Sequence, residues 1–147
     1  MRFWDASAIT PLLVHERSTV QIRGLLRDDA AMVAWWGTRI ECTSAIRRRD
    51  REATLDARGR GEASRRLDAL AAAWSEVLPS ERVRRSAERA LAVHPLRAAD
   101  ALQLGAALAW KLSPTGADEV VCLDARLREA AAREGFGVVP EVLAVDA

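Results

Sequence analysis

The sequence has few of the features that mark a membrane, exported or nucleotide-binding protein. No apolar run approaches the roughly 20 residues that a membrane span requires. The opening Met1-Arg2-Phe3-Trp4-Asp5 shows no basic leader followed by an apolar stretch and a small-residue cleavage site. The expectation is a cytoplasmic protein with no membrane contact. Cysteine occurs only at positions 42 and 122, a separation that gives no metal-ligand spacing, so both read as small buried hydrophobes in a reducing compartment. The absence of a glycine-rich phosphate loop argues against P-loop nucleotide hydrolysis. His15 and His94 have no serine or cysteine in a recognisable nucleophile motif, and both are expected at the surface. Lysine is confined to Lys111, and every other basic residue is arginine. Beside so much alanine that skew reads as codon bias, although arginine also suits bidentate phosphate contact. With 22 basic and 21 acidic residues the formal net charge is +1, so no overall positive field demands a nucleic-acid partner.

The 147 residues are 50% hydrophobic and 29% charged, which suits one globular domain spanning 1–147 with a core that needs no disulfide or structural zinc. Arg2 to Trp4 reads as a short strand running into Asp5 and Ser7, two capping side chains ahead of the apolar Ile9, Leu12 and Leu13. Ser18 opens a second amphipathic stretch with Val20, Ile22, Leu25 and Leu26, stopping at Asp28-Asp29. Met32 to Trp36 has the continuous apolar character of a strand buried on both faces, with Trp35 and Trp36 in the core. Thr38 begins a helix carrying Ile40, Cys42, Ala45 and Ile46, which ends in the charged run at 47–51; the stretch to Gly59 and Gly61 reads as a solvated linker or hairpin tip. Leu67, Leu70, Ala71 and Trp74, and after Pro79-Ser80 also Val83, Ala87, Ala90 and Leu91, recur at helical spacing and predict two packed helices. A long apolar helix follows over about Ala98 to Leu112. Val120 to Leu123 is a buried strand, Asp124 caps a helix, and Gly137 to Val139 is the last strand. Strands alternating with helices predict a parallel sheet covered on both faces, with one further strand expected near Val77-Leu78. No internal repeat interrupts the pattern.

Ligand sites in parallel sheets form beyond the carboxyl ends of strands. Asp5 and Asp124 directly follow strands, and Glu41 lies one helical turn beyond another. Each could simply cap a helix, and Thr38-x-x-Glu41 matches a capping box. Asp118 and Glu119 precede their strand and belong at the opposite edge. Asp100 shares a helical face with Leu104, Ala107 and Leu108. A carboxylate there needs a partner, either Arg97 one turn earlier or a metal ion. A divalent cation would account for all four acids together, and all-oxygen ligands select Mg²⁺ or Mn²⁺ over zinc. The arginines at 47 to 49, 65, 66, 84 and 85 could rim such a site for phosphate, while each also suits a solvated helix face.

Four segments, Phe3-Trp4-Asp5-Ala6-Ser7-Ala8, Thr38-Arg39-Ile40-Glu41, Leu96 through Leu104, and Val121-Cys122-Leu123-Asp124-Ala125-Arg126-Leu127, together resemble the PIN-domain family, in particular the toxin ribonucleases of VapBC toxin–antitoxin pairs. The resemblance implies a three-layer α/β/α sandwich around a mostly parallel sheet. It also implies an acidic quartet of Asp5, Glu41, Asp100 and Asp124 binding Mg²⁺ or Mn²⁺, RNA as substrate, a homodimer, and a cognate antitoxin that covers the site. Ser7 and Thr38 are then expected as hydroxyls just behind the metal ligands. Cys122 departs from the family pattern, which usually has threonine there, and removes a hydroxyl from behind the site. Two other readings stay open: a catalytically silent PIN-like binding module, and a PIN nuclease acting outside a toxin–antitoxin pair. A DNA or flap nuclease would need long insertions that this chain lacks. A signalling receiver domain would need a lysine after the last strand, whereas Lys111 lies in a helix.

Overall fold

The computed structural model describes residues 1–144; the last three residues of the expected 1–147 domain lie outside the described residues. The elements run β1 (Arg2–Trp4), α1 (Ala6–Leu13), α2 (Thr19–Asp28), β2 (Met32–Trp35), α3 (Thr38–Arg51), α4 (Ala57–Ala73), β3 (Ser75–Val77), α5 (Glu81–Val93), α6 (Ala98–Lys111), β4 (Glu119–Val121), α7 (Ala125–Arg133) and β5 (Gly137–Val139). The five strands are all parallel in the order β3-β2-β1-β4-β5. The strand expected near Val77 is β3.

Side-chain alternation along the central strands builds two cores. Phe3, Val33 and Trp35 face one, with Val83, Ala87, Leu104, Ala107 and Leu127 from α5, α6 and α7. Trp4, Met32 and Ala34 face the other, with Ile9, Ile22, Ile46 and Leu67 from α1 to α4. The result is the expected three-layer α/β/α sandwich. α4 and α5, read from the sequence as two packed helices, belong to opposite layers because β3 runs between them.

Several local expectations change. Gly59 and Gly61 are inside α4, not in a linker; Asp56 caps that helix by accepting from the Gly59 N–H at 2.7 Å, so the turn is confined to 52–56. Its tightness shows in Ala53, at φ 56°. Trp36 is not core: the strand ends at Trp35 and Trp36 is 49% exposed. Val20 also points outward. His15 is exposed as expected, but His94 is buried against α7, its Nε2 2.8 Å from Glu134 Oε1. Both cysteines are buried and free.

The chain leaves β1 toward β2 and β3, then returns to place β4 on the other side of β1. Such a reversal opens a crevice at the carboxyl ends of the two diverging strands. Asp5 lies at that point, its N–H bonded to the Val121 carbonyl at 3.0 Å.

Candidate active site

Asp5 is the most enclosed of the four acids, 4% exposed at the end of β1. Its Oδ2 accepts from the Ser7 N–H at 3.0 Å and so caps α1. Burial pushes its carboxyl up; the Ser7 bonds oppose this, and the charges of Asp100 and Asp124 add to it. Glu41 is half-buried in the first turn of α3. The capping box that Thr38 and Glu41 could have formed is not made: Gly37 is the N-cap residue, with no side-chain cap bond. Glu41 instead accepts at Oε1 from Gln103 Nε2 at 3.2 Å. Burial, then Asp5, push its carboxyl up to about 7 against the Gln103 bond, with a further contribution from Asp100.

Asp100, half-buried in the first turn of α6, accepts from the Arg97 N–H at 3.4 Å. Burial and then Asp124 raise its pKa, against the Arg97 N–H and the Arg97 and Arg126 charges. The buried Arg97–Asp100 ion pair considered from the sequence is not formed, because Arg97 is solvent-exposed and engages Asp100 through its backbone. Asp124 is exposed and caps α7 by accepting from the Leu127 N–H at 3.0 Å. The Asp5 and Asp124 caps foreseen from the sequence are therefore real, and they coexist with a shared electrostatic neighbourhood in which Asp5 feels Asp100 and Asp124, and Glu41 feels Asp5 and Asp100. Asp118 precedes β4, but Glu119 is its first residue; both stand at the opposite edge, where Glu119 pairs with Arg2.

Behind these acids, Ser7 Oγ accepts from the Leu123 N–H at 2.9 Å and the Asp124 N–H at 3.3 Å, tying α1 to the loop after β4. Thr38 is fully buried and accepts from Gln103 Nε2 at 3.0 Å. Cys122 Sγ lies 3.7 Å from both Asp5 Oδ2 and Ser7 Oγ. Burial, with Asp5 beside it, pushes the thiol well up, so it stays protonated and can serve as a weak donor where a hydroxyl was expected. Gln103 was not singled out from the sequence as a site residue. The signal available was a lone amide three residues after Asp100 in an otherwise apolar helix.

Among the described residues, no lysine or arginine forms an ion pair with any of the four acids. Clustered carboxylates without direct ion-pair partners suit a hard divalent cation, and every donor is an oxygen. Also among the described residues, no three Asp, Glu, His or Cys side chains are drawn together tightly enough to hold an ion, so an ion there would require side-chain closure. A cleft of about 890 Å³ opens beside two of the acids, lined by Glu41, Asp124, Ser7 and Ile40 and, farther along α3, by Arg48 and Arg49.

The structure of FitAcB from Neisseria gonorrhoeae is similar over 94% of this chain and 96% of that chain, with a TM-score of 0.61 and 18% sequence identity. The fold is PIN-like. Comparison with protein-family models gives no match, and comparison with curated proteins gives none. In this PIN-like fold the four acids come from the ends of β1 and β4 and the first turns of α3 and α6, at the carboxyl edge of the sheet.

Proposed function

We propose that the chain is a Mg²⁺- or Mn²⁺-dependent endoribonuclease that hydrolyses RNA phosphodiester bonds and acts as the toxin of a toxin–antitoxin pair. The observation that carries this reading is the set of four carboxylates at the strand-order reversal, none in an ion pair with lysine or arginine among the described residues, with Asp5 and Glu41 both raised by burial and by neighbouring acids of the set. The PIN-like fold, shared with FitAcB, agrees with the sequence resemblance to toxin ribonucleases.

Asp5, Glu41 and Asp100 would hold the cation, and Asp124 would hold a second one or orient water. The cation would supply a water of lowered pKa and neutralise charge on the phosphoryl oxygens. Ser7 and Thr38 keep the strand ends and α3 in place around the acids. Arg48 is exposed in the cleft wall, on the same strip of α3 as Glu41, where an RNA backbone could pass. A cognate antitoxin would cover this cleft, the active form would be a homodimer, and the reaction would take place in the cytoplasm.

The test is cleavage of single-stranded RNA by the purified chain. We expect cutting with Mn²⁺ or Mg²⁺, none in EDTA, and none with Asp5→Asn, whose amide can still accept the Ser7 N–H and so preserve the fold. Cleavage that persists in excess chelator would overturn the metal mechanism. The open arrangement of the acids also favours a second reading, a PIN-like scaffold without activity. A folded chain that neither binds Mn²⁺ calorimetrically nor cuts RNA would establish that one.

A further inference from the structure

Gln103 is 1% exposed on a helix whose other buried residues are alanine, leucine, glycine and tryptophan. A buried amide in such company costs free energy unless its hydrogen bonds are made. Here only one end of it is satisfied. Nε2 donates at 3.0 Å to Thr38 Oγ1 and at 3.2 Å to Glu41 Oε1, while Oε1 is buried and has no partner among the described residues. The amide therefore stands in the orientation that serves its two acceptors. The flipped orientation would set its oxygen against the Glu41 carboxylate.

Both amide hydrogens are thus committed to the first turn of α3. Thr38 opens that turn and Glu41 closes it, so the pair pins the helix start at two points. α3 belongs to one face of the sheet and α6 to the other, which makes Gln103 a bridge over the sheet's carboxyl edge between two acid-bearing helices. With Oε1 of Glu41 taken by the amide, Oε2 receives no hydrogen bond among the described residues and is left for a ligand. Outer partners that orient a ligating carboxylate in this way raise metal affinity by reducing the motion lost on binding.

We propose that Gln103 is a positioning residue that aims Glu41 at the cation, an inference that rests on the metal-dependent reading of the site. The test is Mn²⁺ titration by calorimetry, without RNA, on the full chain, alongside melting in EDTA. Gln103→Met keeps the volume and removes both donors. It should weaken Mn²⁺ binding about 10–100-fold, and RNA cleavage should fall through kcat with KM nearly unchanged. A purely structural amide would lower the melting temperature and leave the Mn²⁺ isotherm unaltered, and that result overturns the proposal while the ribonuclease reading stands. Should Gln103→Met fail to fold, Thr38→Val removes only the anchoring acceptor and is expected to weaken Mn²⁺ binding several-fold. An unchanged isotherm for Thr38→Val would then overturn the proposal. A parent chain that binds no Mn²⁺ would overturn both this inference and the metal-dependent reading.

Discussion

Above neutral pH, Glu41 must hold a negative charge in a half-buried position beside Asp5 and Asp100. Its pKa in the folded chain, about 7, exceeds the ordinary value of 4.5, so the folded state keeps this proton to higher pH than the unfolded chain does. The group is then neutral to stability below about pH 4.5, destabilises increasingly as the pH rises toward 7, and exerts its full penalty above that. Glu41→Gln removes the charge and retains an acceptor for Gln103. In EDTA at pH 8 it should be more stable than the parent by on the order of 1–2 kcal/mol, a figure reduced for the water that reaches the carboxylate, and the two should converge near pH 4.5. Chemical denaturation at the two pH values checks this, and equal stability at pH 8 would contradict it. At this scale the sequence was only partly legible. The four acids were visible because each follows a strand or opens a helix. Gln103 was not, because its partners lie 62 and 65 residues away, a proximity that only the folded layers create. Trp36 and His94 misled for a related reason: their burial depends on where a strand stops and on which helix end crosses the loop, not on residue type.

Among the elements, the packing of α6 matters most for the site, since it carries both Asp100 and Gln103. Its approach to α5 is close at Gly105, where an added Cβ would stand 2.8 Å from the Val83 carbonyl oxygen and 2.9 Å from the Ala87 nitrogen. Backbone atoms cannot swing aside as a flexible side chain would. Gly105→Ala gains roughly 1 kcal/mol of helix propensity, yet the overpacking, about 1–3 kcal/mol, should outweigh it. The expected result is a lower denaturation midpoint together with weaker Mn²⁺ binding, as α6 is pushed from its seat. Unchanged stability would mean that the two helices separate freely. The boundaries of α6 and the final strand, and the start of β2, were legible because apolar runs and stop residues coincide there. The start of α4 was hidden by Gly59 and Gly61, which look like punctuation but are tolerated inside a helix whose beginning is secured by Asp56.

For the molecule as a whole, the metal-dependent reading makes cation concentration a determinant of stability. A ligand that binds only the folded chain adds about 2.7 kcal/mol at a concentration 100 times its Kd. Mn²⁺ at that level should raise the melting temperature by roughly 5–10 °C. The gain should be large at pH 8 and small at pH 5, where a proton occupies Glu41 in competition with the metal. Melting with and without MnCl₂ at both pH values tests this, and a shift independent of pH would assign the ion to some other place. The layer order was legible from strand–helix alternation. The reversal of strand order beside β1 was not, since it depends on which edge the returning strand joins. The stop of β2 at Trp35 also has an optical consequence. Of the five tryptophans, Trp4, Trp35, Trp74 and Trp110 are buried while Trp36 stands in solvent, two residues before Thr38. The native emission therefore combines four shielded fluorophores with a single quencher-accessible one just past the carboxyl end of β2, an intrinsic reporter that needs no label.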